Sequence, residues 1–243
     1  MITLPLDCYD IIFNNLRHNY KNLYSCALVN RQWCRIIIPI LWSEPKNHFK
    51  NIKLIRTFLL TLNSEEQALL IPFKITLPSY PRPLFEYTSY ITSIEEHLYD
   101  GIRKWIHYER DKTVLELENV VKYSLIRMFL RTSKNLKSLI LDNKTICNQI
   151  IFENLYENTT ITSIILYYTC IDLNFKTIDI LIQILHKNST LTSLDLNLQG
   201  YRFFSNIESE REALIDALCK NNTLKKLNIY HAPPGSKEGA LGE

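Results

Sequence analysis

Apolar residues recur along residues 5–41 at spacings that suit three short helices. Ile11, Ile12 and Leu16 follow a Pro5-Leu6-Asp7 start, where proline suits a first turn and the carboxylate complements the helix N-terminus. The polar run RHNYKN ends that helix, and a second is predicted from about Leu23 to Val29. Asn30 is placed to N-cap a third helix. Its Trp33, Ile36, Ile37, Ile40 and Leu41 stand at i, i+3, i+4, i+7 and i+8 and make one wide apolar stripe. Pro39 is expected to end or kink it near Ile38.

The pattern then changes. NIKLIRTFLLTL (51–62) reads as an amphipathic helix, with Ser64 and Gln67 as a capping box for a short one after it. Prolines 72, 78, 81 and 83 predict an extended, aromatic-rich passage. Residues 93–109 are expected to form a further helix, with a Ser93/Glu96 cap and Ile94, Leu98, Ile102 and Trp105 along one side.

From residue 113 the chain repeats itself. Leu136-Lys-Ser-Leu139-Ile-Leu141 returns as Ile161-Thr-Ser-Ile164-Ile-Leu166, as Leu191-Thr-Ser-Leu194-Asp-Leu196 and as Leu224-Lys-Lys-Leu227-Asn-Ile229. The last three copies each follow an Asn with Thr or Ser (ENTT, KNST, KNNT), and helical stretches such as Ile178, Leu181, Ile182 and Leu185 lie between copies. One short strand and one helix per unit is the pattern of a leucine-rich repeat, whose units stack because none can bury its strand face alone. TVLELEN (113–119) with a helix over 119–134 reads as a degenerate copy, and GSKEGALGE (235–243) as the start of one more.

Alternation along each strand sends the fourth and sixth places of the repeat inward. Three outward columns follow: Ser138, Ser163, Ser193 and Lys226; Ile140, Ile165, Asp195 and Asn228; Asp142, Tyr167, Asn197 and Tyr230. An exposed Ile140–Ile165 pair beside tyrosines is the composition that binding patches favour. Ile140, Ile165, Tyr167, Asp195, Asn197 and Tyr230 are therefore the expected target-binding set.

Composition narrows the function. A net charge of +3, without basic blocks, argues against nucleic acid or a lipid surface as partner. The longest apolar run near the start, Ile36 to Trp42, is far short of the ~20 residues of a spanning helix and holds Pro39. The opening MITLPLDCYD has no basic segment, so neither secretion nor membrane insertion is expected. Six cysteines without a CxxC pair are read as reduced, in a cytoplasmic or nuclear protein. Six scattered histidines lack metal-ligand spacing. With five glycines, none before residue 101, no Gly-rich phosphate loop can be assembled, and no nucleophile elbow, HExxH or kinase signature occurs. The expectation is a non-catalytic protein without metal or cofactor.

The segment LPLDCYDIIFNNL…NLYSCALVNRQWCRIIIPILW resembles the F-box, a module of roughly 40 residues that binds the Skp adaptor of cullin–RING ubiquitin ligases. Leu4-Pro5 matches the opening, Ile11, Ile12 and Leu16 match helix one, and Leu23 matches the link to helix two. Val29, Arg31 and Trp33 match the V-x-R-x-W signature, and Leu41-Trp42 the close. Cys8-Tyr9 departs from the acidic and aliphatic pair more usual there. The resemblance implies that Leu4, Pro5, Ile11, Leu16 and Val29 face the adaptor, while Trp33 and Trp42 fill the module's own core. Residues 70–94 also look like the segment after the F-box in large fungal F-box families. The repeats most resemble the ribonuclease-inhibitor-like class. Where that class has Asn or Cys after the strand, this chain has Lys144, Thr169, Gln199 and Ala232, which removes the side-chain ladder that normally satisfies the loops.

Together these readings predict an α/β chain: an F-box over 1–45, a helical and Pro-rich connector over 46–112, and a short leucine-rich-repeat solenoid of parallel strands and outer helices over 113–243, its last repeat incomplete. The resemblance implies a substrate receptor of an SCF-type ubiquitin ligase, joined to cullin through the adaptor and holding an unidentified target protein. The rival is a scaffold that binds partners without promoting ubiquitination.

Overall fold

The computed structural model describes residues 4–75, 77, 84–110, 115–168, 175–199 and 208–232. Three helices open it: α1 (Leu6–Asn15), α2 (Tyr20–Ala27) and α3 (Arg31–Ser43). Helix α2 starts ahead of Leu23 because the Asn19 side chain accepts from the Asn22 amide and caps it. Asn30 caps α3 as expected, accepting from the Trp33 amide at 2.8 Å. Pro39 does not end α3, which runs on to Ser43. The proline deletes one amide donor, while Ile40, Leu41 and Trp42 beyond it all find apolar partners.

The module's core is small. Phe13, Leu23, Ala27 and Ile37 are buried, with Tyr9, Leu16, Trp33, Ile36, Ile40 and Leu41 packed against them. Trp33 meets Phe13 edge-on at 5.1 Å between ring centroids. Trp42 corrects the expectation that both tryptophans serve this core. It stacks on Tyr87 at 4.2 Å and meets Phe58 edge-on, within the larger core of the rest of the chain. At the far end of α3 the stripe has rotated away from the module and onto the next layer.

A 3-10 turn (Lys46–Lys50) leads to α4 (Ile52–Leu59), capped by Asn51, and α5 (Ser64–Ala68). The capping box of α5 is Asn63 with Glu66, one residue ahead of the Ser64/Gln67 expectation. Asn63 has extended backbone and reaches the Glu66 amide, whereas the Gln67 amide group donates to the Leu62 carbonyl. Pro72 sits in a 3-10 turn (Ile71–Phe73), and prolines 78, 81 and 83 lie outside the described residues. Residues 93–109 are not one helix. Ser93–Ile94 is a strand, β1, and α6 spans His97–Glu109. Gly101 lets α6 approach the Lys46–Lys50 turn, since a Cβ there would collide with the Phe49 carbonyl.

Helix α7 (Leu115–Thr132) takes in most of TVLELEN, so the first strand of the sheet is β1 and not that segment. Then come β2 (Ser138–Asp142), α8 (Asn143–Ile146), α9 (Gln149–Glu157), β3 (Ser163–Tyr168), α10 (Phe175–Lys187), β4 (Ser193–Gln199), α11 (Glu208–Lys220) and β5 (Lys226–Ala232). The five strands form one parallel sheet in sequence order. Its register aligns Ser138, Ser163, Ser193 and Lys226, so the repeat copies stand side by side as their spacing implies. The inward residues Leu139, Ile164 and Leu194, with Leu141, Leu166 and Leu196, are all at most 3% exposed. One continuous core runs from Phe49 to Ala217. The GSKEGALGE reading lies outside the described residues.

The ladder expected to be missing from the loops stands at the other end of the strands. Asn158, Asn188 and Asn221 each close a helix-to-strand turn. Each side-chain oxygen accepts two backbone amides: Thr160 and Ile161, Thr190 and Leu191, Thr223 and Leu224. The Asn188 amide group donates back to the Leu155 and Asn158 carbonyls, and that of Asn221 to the Leu185 carbonyl. A backbone ladder runs alongside: Thr92 accepts from Lys137, Lys137 from Thr162, Thr162 from Thr192, and Thr192 from Lys225. Its first rung is Thr92 donating to the Ser43 carbonyl, which ties the end of α3 to the sheet edge.

Candidate functional site

Helix α1 turns Phe13 into the module's core, and positions three and four residues away follow it. Tyr9 and Leu16 are therefore half-buried against that core. This corrects the expectation for Leu16: it shares the face of Phe13 and is withdrawn from the outer surface. Leu4, Pro5, Ile11 and Val29 are exposed, Ile11 at 64% and Val29 at 61%. Leu28, which the motif did not single out, is exposed too, at 70%. Leu6 and Ile12 are exposed as well. Asn30 caps α3 directly after Leu28 and Val29, so the α2–α3 corner is held by a side-chain cap while its apolar residues face outward.

On the sheet, the register sets out the three outward columns in the expected order. Their chemistry differs at β2. Ile140 is buried at 5% exposure, so the predicted exposed Ile140–Ile165 pair does not exist. Tyr167 on β3 reaches past β2 to donate to the Glu96 carboxylate at 3.2 Å, and its ring must lie across β2. Ile165 and Tyr167 are themselves half-buried against the main core. Asp142 is also drawn out of its column: its Oδ1 accepts from the Thr145 amide and hydroxyl at the start of α8. The open part of the face is β4–β5. There Asp195 accepts from Asn228 at 2.7 Å, Asn197 is half-exposed beside Tyr230, and Tyr230 is 55% exposed. Leu227 and Ile229, on the side that the earlier strands bury, are exposed at this last strand.

Beneath β2 lies a polar cluster that motif reasoning missed. Lys122, only 7% exposed, sits 2.8 Å from Glu118 and 3.0 Å from Asp142, with its ammonium 4.9 Å from the Tyr99 ring centroid. The Tyr99 hydroxyl donates to the Ile140 carbonyl. Burial pushes the Tyr99 phenol well above its ordinary range, and the nearby Asp142 charge adds to this. For Asp142, burial pushes upward, but the Lys122 ammonium and the Thr145 hydrogen bonds outweigh it and hold the carboxyl below its ordinary value. Every member of this cluster has a partner, and its effect is to join α6, α7 and β2. A second clasp joins α5 to α7. Glu66, fully buried, takes Arg131 through both oxygens at 2.9 and 2.8 Å. That bidentate bond holds the guanidinium above its ordinary range.

The sequence held one unused signal. Ile91-Thr92-Ser93-Ile94 is identical to Ile161–Ile164, and it marks β1, whose Ser93 pairs with Ser138. The strand stops after two residues because α6 begins at His97.

Among the described residues, no group of three or more His, Cys, Asp or Glu is arranged to hold a metal ion, and no helix is long and apolar enough to cross a membrane. The arrangement offers two surfaces: exposed apolar side chains on the helical module, and a polar, tyrosine-bearing sheet face. Compared with protein families, with curated proteins and with solved structures, the chain has no match.

Proposed function

We propose that this chain is a substrate receptor of an SCF-type ubiquitin ligase. In this reading α1–α3 are an F-box that binds a Skp-type adaptor and, through it, a cullin. The strand–helix units are a short leucine-rich-repeat solenoid whose β4–β5 face takes the target protein. The observation that carries the reading is the N-terminal module. It spends Phe13, Leu23, Ala27 and Ile37 on a minimal core and leaves Ile11, Leu28 and Val29 in solvent. Large apolar side chains exposed on so small a module, beside a sequence that resembles the F-box, support a surface with a partner.

The mechanism is proximity. One end of the chain holds the ligase and the other the target, joined through the α3 stripe and the Ser43–Thr92 rung, so transfer to the target becomes local. The chain itself forms and breaks no bond. The test is reconstitution with purified adaptor, cullin complex and charged ubiquitin-conjugating enzyme, using partners captured by the chain. The expected result is ubiquitin on a captured partner, lost when Asp195, Asn197 and Tyr230 are changed together to Ala. Adaptor binding without any transfer would instead make the chain a scaffold.

A further inference from the structure

Two turns of the N-terminal region face each other across a cavity of about 280 Å³. One, between α1 and α2, brings Arg17 and His18; the other, after α3, brings Glu44, Lys46 and His48. Glu44 is the sole acid among the lining residues, and it is bracketed: Arg17 donates to its Oε1 at 3.2 Å, and Lys46 Nζ stands 3.2 Å from its Oε2. Two fixed cations thus share one carboxylate, which leaves a positive excess, and the two imidazoles add N–H donors. All three charged side chains are substantially exposed, so these ion pairs contribute little to stability and do not by themselves account for the arrangement. Lys46 is held at φ 42, in the left-handed region that non-glycine residues avoid unless the surroundings impose it. Tyr20 places the positive end of α2 at the cavity, and its ring lies 4.8 Å from the His48 ring as an aromatic wall.

We propose that this cavity binds a phosphate dianion, free or as a phosphomonoester, with the Glu44 carboxylate standing where the ligand's oxygens go. On binding, Glu44 swings outward and Arg17 and Lys46 transfer their contacts to the phosphate, which carries more charge and more acceptor oxygens than the carboxylate it replaces. The apolar floor of Leu23, Ile40 and Leu41 sets the depth of the cavity, whose volume suits a small group. This site is independent of the ubiquitin-ligase reading, which uses the outer face of the same module.

The test is calorimetric titration of the full chain with inorganic phosphate, with a short phosphoserine peptide and with that peptide unphosphorylated. Both phosphate-bearing probes are expected to bind and the unphosphorylated peptide not to. Glu44→Gln, which removes the resident competitor, should tighten binding by about tenfold, and Arg17→Ala or Lys46→Ala should weaken it by about tenfold each. A tighter phosphopeptide identifies a phosphorylated partner as the source, and equal affinities identify the free anion. Amide NMR shifts on phosphate addition should centre on residues 17–20 and 44–48. The proposal is overturned if phosphate binds neither the parent chain nor Glu44→Gln, if Glu44→Gln weakens binding, or if the shifts lie elsewhere.

Discussion

The helical module and the sheet region solve the same problem in opposite ways. In the sheet, each strand's apolar residues are covered by the strands beside it and by the helices behind, so Leu139 to Leu196 vanish into one core. In the module, three short helices close around four buried residues, and Leu4, Leu6, Ile11, Ile12, Tyr20, Tyr24, Leu28 and Val29 stay exposed. Stacking lets repeated units bury apolar surface by adding neighbours. A three-helix bundle of this size has too few neighbours to do so, and part of its apolar surface stays in solvent. The edge strand makes the same point from within the sheet: among the described residues β5 pairs on one side only, and Leu227 and Ile229 are exposed where their counterparts are buried.

The difference predicts separable stabilities. Phe129, fully buried and edge-on to Phe58 at 5.0 Å, should cost about 3–5 kcal/mol on replacement by Ala. Arg131→Ala leaves the Glu66 carboxylate buried without its counter-charge, at a cost of about 3 kcal/mol. Changing Glu66 to Leu together with Arg131→Met should restore most of that loss, as measured by urea unfolding. Trp33→Ala should cost about 2–3 kcal/mol, felt by the module alone, because Trp33 is half-buried among Tyr9 and Phe13. Unfolding followed by probes in each region should show two transitions, Trp33→Ala moving the first and Phe129→Ala the second. If both substitutions shift a single transition equally, the contrast between the regions fails.

Smaller effects sharpen the picture inside the sheet. Asn188→Ala removes a buried side chain that serves two turns and should cost about 2 kcal/mol, against about 1 kcal/mol for Asn221→Ala near the open end. Asp142 supplies the smallest effect, read as a change of slope in acid. Its folded carboxyl titrates below its unfolded value, so the stability it contributes is present above the ordinary carboxylate range and is lost as pH falls through the lowered folded value. Asp142→Asn should flatten the loss of stability below about pH 4, by at most about one proton of slope. An unchanged acid profile would show that Asp142 takes no part in it.

Much of this architecture was legible in residue spacing. The repeat copies predicted the register of β2 to β5, since one inward apolar pattern permits only one alignment of parallel strands. Asn30 announced its helix by capping chemistry that acts within three residues. What spacing missed depends on distant partners. Pro39 continues a helix because Trp42 has a place to pack against Tyr87, far along the chain. Ile140 is buried on a nominally outward position, and Tyr167 bonds to Glu96 across β2, neither of which alternation along one strand can foresee. Leu16 could have been assigned inward from the start, since it lies three residues from Phe13 on the same helical face. β1 could have been found as well, because its four residues repeat those at 161–164.

The central claim is that the exposed apolar set of the module is an adaptor site, and direct titration with purified Skp-type adaptor tests it. The parent chain should bind, and the Leu4→Ala/Pro5→Ala/Ile11→Ala/Val29→Ala variant should lose at least about tenfold in affinity. Thermal stability and helix content should stay unchanged, because all four side chains are exposed. No binding by the parent chain, or equal binding by the intact variant, would contradict the account.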